Sequence, residues 1–102
     1  MDIETVLNNL GNTAEEVAAN LVAAKVKGDR YSTCHCPIAK YLIQQGFIAV
    51  VVGVDSLGYY NKVFGHRVDV KIPKPVSEFI QRFDTGYIGG MLYNTFPELR
   101  PD

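Results

Sequence analysis

The sequence predicts an α+β fold with N-terminal helices, a three-stranded antiparallel meander, and a C-terminal helix followed by a packed tail. Apolar residues recur at helical spacing from Ile3 to Gln45, a β-branched run occupies residues 47–54, and a fourth helical stripe begins after Pro75. The chain has 102 residues, of which 47% are hydrophobic. That length suits one hydrophobic core and is too short for two, so we expect a single globular domain over residues 1–102.

Two helices are predicted at the start of the chain. Asp2 is a suitable N-cap for the first helix, and Gly11 is a suitable residue to end it. Thr13 and Glu16 stand at the spacing of a capping box, which predicts that the second helix begins there. Its apolar stripe includes Val26 and runs towards Gly28, where we expect a loop to begin.

A third helix is predicted to begin at Pro37. Proline is well tolerated at the first helical position, which makes Cys36 the N-cap and places the end of the helix at Gly46. The preceding loop carries Lys27 and Arg30. This loop and helix start therefore bring polar, charged and sulfur-containing side chains together at one point of the chain.

Three strands are predicted after this helix. Residues 47–54 are rich in valine and bounded by glycines, which indicates a buried strand at the centre of the sheet or at an interface. Residues 55–58 suit a turn, residues 59–64 a second strand, and residues 67–72 a third. In the third strand, period-two alternation places His66 on the face opposite Arg67 and Asp69.

The last part of the chain is predicted to be a helix and a tail. Proline residues end the sheet, and an apolar stripe from Val76 to Phe83 indicates a fourth helix that stops near Gly86. Residues 87–96 carry no charge. We therefore expect this tail to lie across the domain or against a partner rather than to trail into water.

Charge and hydropathy exclude several classes of protein. The formal net charge is −1 and the pI is near 6.1, so we expect no general attraction for nucleic acid or for an anionic membrane. We find no basic leader before an apolar run and no apolar stretch of the roughly 20 residues that span a bilayer. These features predict a cytoplasmic protein.

The segment Cys34-His35-Cys36-Pro37 is the best candidate for chemistry. Free amides and the helix dipole at a helix start favour a thiolate, the form in which cysteine is a nucleophile. A helix-start cysteine followed by a histidine in the sheet resembles papain-like hydrolases, and the resemblance implies amide or thioester chemistry with Cys36 as nucleophile. His66 or His35 would be its base. Because Asp69 falls on the other face of the strand, a His66–Asp69 relay is not expected.

Three other interpretations of the same region stay open. Amides at the helix start can bind a phosphate or another anion, together with the side chains of Lys27, Arg30, Ser32, Thr33 and Lys40. Cys34 and Cys36 can supply two zinc ligands, but a second ligand pair is missing, so no cofactor is expected unless long-range folding or a second chain completes the site. Finally, Cys36 can be a buried apolar residue without any reaction.

Three short motifs resemble small uncharacterised bacterial proteins of an actinobacterial and cyanobacterial type. They are the helix start Cys36-Pro37-Ile38-Ala39-Lys40-Tyr41-Leu42, the helix end Phe83-Asp84-Thr85-Gly86 and the segment Phe96-Pro97-Glu98-Leu99. The resemblance implies a compact stand-alone domain and no particular activity.

The function that the sequence favours is binding. If helices cover only one face of the apolar strand at residues 47–54, a second chain must cover the other, which predicts a homo-oligomer, in the simplest case a dimer, with a further protein partner also open. Catalysis or thiol chemistry at Cys36 is the alternative, and it requires a depressed thiol pKa and a sulfur that solvent can reach.

Overall fold

The computed structural model describes residues 2–101, and in this range it confirms the predicted α+β fold. The helices are α1 (Ile3–Asn8), α2 (Ala14–Ala23), α3 (Pro37–Gln44) and α4 (Lys74–Thr85). The strands are β1 (Ile48–Val52), β2 (Ser56–Asn61), β3 (His66–Lys71), β4 (Tyr87–Ile88) and β5 (Met91–Leu92), and a 3₁₀ turn spans Pro97–Leu99. The helices and the sheet share one cluster of buried apolar side chains.

Local capping chemistry sets the start of α2, whereas backbone geometry sets its end. The hydroxyl of Thr13 accepts a hydrogen bond from the backbone N–H of Glu16 at 3.1 Å, as the capping box predicts. The helix ends at Ala23, before Val26, because Lys25 adopts a left-handed φ of 60°. Val26 is nevertheless buried, so the apolar stripe correctly identifies a core residue but extends beyond the end of the helix.

The first three strands form an antiparallel sheet in the order β1-β2-β3. Leu57 in the central strand lies opposite Val52 of β1 and Val70 of β3, and all three side chains are buried. The expectation that β1 is central is wrong, because β1 is an edge strand. Val51, on the outer face of β1, is exposed.

The predicted turn at residues 55–58 is also wrong. The chain turns earlier, with the N–H of Gly53 donating to the carbonyl of Ser56 at 2.9 Å, so β2 begins at Ser56. Gly58 lies inside β2, where the side chains of Arg67 and Asp69 cross above it. A Cβ at Gly58 would lie 2.9 Å from the Asp69 carboxylate. Glycine here leaves room for side chains of a neighbouring strand and does not mark a turn.

Arg67 links all three strands of this sheet. Its Nη2 donates to the carbonyl of Ala49 in β1 at 2.9 Å, across the central strand. Ala49 has a left-handed φ of 52° at the point where the β1–β2 register shifts, which identifies a β-bulge. The guanidinium thus satisfies a carbonyl that the bulge removes from regular pairing.

Arg82 fixes the C-terminal tail against α2 and α4. Its side chain is 6% exposed, and Nη1 donates to the carboxylate of Glu15 at 2.6 Å. The guanidinium carbon lies 4.9 Å from the ring centre of Tyr93 and 4.7 Å from that of Phe96. Phe96 is buried against Phe79, with ring centres 5.2 Å apart. The tail therefore lies across the domain at Phe96, as predicted.

Candidate functional site

Cys36 is the N-cap of α3, as predicted. Pro37 occupies the first turn, and the Cys36 sulfur accepts a hydrogen bond from the N–H of Ala39 at 3.4 Å. The residue is 5% exposed and belongs to the hydrophobic core. The sulfur therefore faces the helix amides and packed apolar atoms.

Burial decides the ionisation of this thiol. Desolvation raises the pKa of Cys36 above its ordinary value, and it outweighs the backbone hydrogen bonds from Ala39 and Ile38, which lower it. The charge of Asp84 also raises the Cys36 pKa. The expectation that the helix start favours a thiolate is therefore wrong, because the sulfur is buried and lies near a carboxylate.

The two cysteines are expected to react very differently. Cys34 is exposed and Cys36 is buried, so iodoacetamide should label Cys34 in the folded protein and leave Cys36 unmodified at about pH 8. Since the pKa of Cys36 is raised, its labelling should need unfolding or a strongly alkaline pH. Peptide mass spectrometry of the C34A variant reports on Cys36 alone. Rapid labelling of that variant below pH 8 would contradict this account and return Cys36 to the list of nucleophiles.

The candidate base His66 does not share a site with Cys36. Val52, which lines the same cavity as Cys36, is opposite Leu57 in β2, whereas His66 is opposite Asn61. Leu57 and Asn61 are roughly 13 Å apart along the strand at about 3.3 Å per residue. His66 instead stacks on Phe64 with ring centres 5.8 Å apart, and its Nδ1 lies 2.9 Å from the Arg67 carbonyl oxygen.

His35 lies next to Cys36 in sequence but has an exposed side chain. Its backbone N–H donates to the hydroxyl of Ser32 at 3.0 Å, and its carbonyl accepts from the N–H of Asp29 at 2.8 Å. These bonds shape the loop before α3. They give the backbone of His35 a structural role, while its ring faces solvent.

Cys34 and Cys36 are poorly placed to share a zinc ion, because one sulfur is exposed and the other is buried. Between residues 2 and 101, no three His, Cys, Asp or Glu side chains are grouped so that they can hold a metal ion.

The residues proposed for anion binding are used mainly to shape the loop. Arg30 donates from Nη2 and Nε to the carbonyl of Asp84, at 2.6 and 3.0 Å, and thereby caps the C-terminal end of α4. The Ser32 hydroxyl accepts from the His35 amide, and the Thr33 carbonyl accepts from the Val52 amide at 2.8 Å. Lys27 and Lys40 are exposed and line none of the described cavities near α3.

A small open cavity of about 200 Å³ does lie at the start of α3. Cys36, Val52 and Ile80 contribute apolar walls, and Asp84 contributes the charged group. One oxygen of Asp84 accepts from the Tyr31 N–H at 3.0 Å, and burial raises the pKa of this carboxyl. A carboxylate in this position repels phosphate, so the cavity does not favour the predicted anion.

A more prominent feature is the turn between β2 and β3, which the sequence pattern predicts in part as a strand. Val63 is 90% exposed and Phe64 is 66% exposed, and we call these two residues the arm tip. The side-chain oxygen of Asn61 accepts from both of their amides, at 2.9 and 3.0 Å, so the turn is well ordered. In the sequence, this turn is indicated by Asn61 and Gly65, which stand on either side of Val63 and Phe64.

The β4–β5 hairpin exposes a second apolar surface, on strand β5. Met91 is 64% exposed and Leu92 is 72% exposed, and we call these two residues the tail tip. Gly89 and Gly90 have left-handed φ values of 58° and 84°, typical of a two-residue hairpin turn. Strands of two residues are marginal alone, and the N–H of Tyr93 anchors this hairpin by donating to the Gly86 carbonyl at 2.8 Å.

Comparisons with known proteins add no assignment to this geometry. No protein-family model matches the chain, and neither curated proteins nor solved structures give a match. The resemblance to small bacterial proteins stays a prediction. Among residues 2–101, no helix has both the length and the apolar character needed to cross a membrane.

Proposed function

We propose that the chain is a binding domain that associates with a second copy of itself and acts without covalent chemistry. The observation that carries this proposal is the exposure of the arm tip, Val63 and Phe64, on a turn whose backbone is fixed. Turns at a protein surface normally carry polar or small side chains. Large apolar side chains at such a position favour a contact that removes them from water.

The fixed backbone supports binding because little conformational freedom remains to be lost. Asn61 holds the arm tip, and Gly65 closes the turn by donating to the Asn61 carbonyl at 2.8 Å. A preorganised surface loses less entropy when it binds than a mobile one does.

The tail tip supports a second role as an accessory surface for another protein. It lies on a different element from the arm tip, and the Arg82 contacts to Tyr93 hold its base. The segment 87–96 is uncharged, which suits an apolar partner groove. The two unpaired cysteines support a cytoplasmic location for this complex, since that compartment keeps thiols reduced.

Serine substitutions separate these surfaces. The pair V63S and F64S, the pair M91S and L92S, and the control I43S would each be examined by size exclusion with light scattering at about 50 μM. Ile43 is an exposed apolar residue on α3 and serves as a matched control. The proposal predicts that wild type and I43S are dimers and that the V63S/F64S pair is a monomer. A wild-type monomer, or a V63S/F64S dimer indistinguishable from wild type, would contradict it.

A further inference from the structure

The outer edge of β3 is an unpaired strand edge. Within residues 2–101, β3 pairs with β2 alone. The N–H of Ile72 donates to the Asp55 carbonyl at 2.8 Å, on the β2 side. Because successive residues of a strand direct their backbone groups to opposite edges, Val68 and Val70 also face β2. The backbone groups of Arg67, Asp69 and Lys71 therefore face the free edge.

We propose that two copies of the chain pair along this edge, antiparallel and about a two-fold axis at Val68, and so form a continuous six-stranded sheet. This inference rests on the proposed function, because it names the surface through which the self-association takes place. In this arrangement, Arg67 lies opposite Asp69 of the partner subunit and Asp69 lies opposite Arg67 of the partner subunit. Each such pair also exchanges backbone hydrogen bonds.

Charge and backbone donors together favour this register over its neighbours. An axis at Arg67, Asp69 or Lys71 would place that residue opposite its own copy, which is unfavourable because the two charges are alike. An axis at Val70 would also pair opposite charges, Asp69 with Lys71 of the partner subunit, but it would place Arg67 opposite Pro73 of the partner subunit, which has no N–H to donate. Charged residues on an edge normally prevent pairing. Here their alternation opposes the registers that pair like charges.

The arm tip provides an independent argument for the same register. With the axis at Val68, Gly65 lies opposite Lys71 of the partner subunit, and Phe64 follows directly beyond it. A groove of about 380 Å³ lies at that end of β3, with Ile72 and Pro73 among its lining residues. The arm tip of each copy would thus enter the groove of the other.

The side chains that must pair remain accessible in the single chain. Arg67 and Asp69 are both exposed. Arg67 uses Nη2 to reach the Ala49 carbonyl, and a guanidinium has five N–H donors, so further donors stay free for a carboxylate. The Nδ1 of His66 lies 2.9 Å from the Arg67 carbonyl oxygen, and a pairing strand would replace this contact.

Charge reversal tests the register. R67D and D69R each place like charges opposite one another, so we expect each variant alone to self-associate at least about tenfold more weakly than wild type by sedimentation velocity. An equimolar mixture of R67D and D69R should form a heterodimer with near wild-type affinity, because each reversed residue then meets its opposite. Thermal unfolding followed by circular dichroism would establish that each variant is folded, and D69R retains the Arg67–Ala49 bond if R67D does not fold.

K40E is the matched control, since Lys40 is an exposed lysine on α3 and does not lie on the paired edge. We expect little change for K40E. A tenfold loss in K40E with none in D69R, or a D69R variant that dimerises like wild type, would overturn the register. If the wild type dimerises and D69R dimerises equally well, the proposed function stands and only pairing along this edge is ruled out. If the wild type is a monomer, both the proposed function and the edge pairing are ruled out.

Discussion

Substitution of Gly28 by alanine is expected to destabilise the protein by at least about 3 kcal/mol, a large share of the roughly 5–15 kcal/mol that holds a domain folded. Gly28 is buried against the backbone at the start of α3. A Cβ there would lie 2.5 Å from the carbonyl carbon of Cys36 and 2.6 Å from the carbonyl oxygen of His35, and it would also contact the nitrogen of Pro37. Backbone atoms cannot move aside as a flexible side chain can.

The cost should be large because Gly28 closes the loop before α3. Its N–H donates to the Leu99 carbonyl at 2.8 Å, and the next amide, that of Asp29, donates to the His35 carbonyl at 2.8 Å. A shift of the Cys36 loop would therefore disturb both the helix start and the C-terminal turn. Urea unfolding followed by circular dichroism measures the change in free energy.

Gly53 provides the matched control for this substitution. Its Cβ would lie 3.1 Å from the Ser56 carbonyl oxygen, which is a much less severe contact. G53A should therefore cost about 1 kcal/mol or less. If G28A and G53A unfold at the same urea concentration with equal slopes, the close packing of the Cys36 loop on Gly28 is contradicted.

Substitution of Arg82 by alanine is expected to cost about 3 kcal/mol and to release the C-terminal tail. The change removes the hydrogen bond to Glu15, the contacts with the Tyr93 and Phe96 rings, and the packing of the arginine stem. R82M should cost less, about 1–2 kcal/mol, because its side chain still fills the site. Removal of the buried Arg82 Nε, which has no hydrogen-bond partner, offsets part of that loss.

E15Q is the control variant for the ion pair, because it removes the negative charge that Arg82 contacts. Its side chain is 65% exposed, so E15Q should change stability by less than about 1 kcal/mol. The hydrogen bond from Arg82 lowers the pKa of Glu15 below its ordinary value of 4.5. The ionised form is therefore favoured in the folded state, and its stabilising contribution is present above pH 4.5 and lost as the pH falls through the lowered pKa.

Urea unfolding and amide hydrogen exchange test whether Arg82 holds the C-terminal tail in place or contributes only to packing. We expect the loss in the free energy of unfolding to be largest in R82A, smaller in R82M and smallest in E15Q. We also expect faster hydrogen exchange in R82A at the amides of Tyr93 and Leu99. Those amides are bonded to the carbonyls of Gly86 and Phe96. Unchanged exchange in the tail of a folded R82A variant would show that Arg82 does not hold it.

Features set by neighbouring residues in the chain could be predicted from the sequence. The capping bond of Thr13, the sulfur cap of Cys36 and the left-handed Gly86 at the end of α4 each depend on contacts within four residues. Alternation likewise placed Arg67 and Asp69 on one face of β3. Their joint approach to Gly58 confirms it.

Features set by distant residues could not be predicted in this way. The thiol pKa of Cys36 depends on burial and on Asp84, which is brought near by α4, so the helix dipole alone gave the wrong direction. Arg30 seemed available to an anion, but it bonds to the Asp84 carbonyl. Gly58 indicated a turn because nothing local shows that Arg67 must cross it to reach β1.

Sedimentation equilibrium of the wild-type chain shows whether it self-associates. The chain has a mass of 11.3 kDa, so the dimer would have twice that mass. Between about 1 and 100 μM, we expect an apparent mass that rises with concentration towards the dimer value, as is typical of micromolar affinity. An apparent mass that stays at 11.3 kDa throughout this range would contradict self-association.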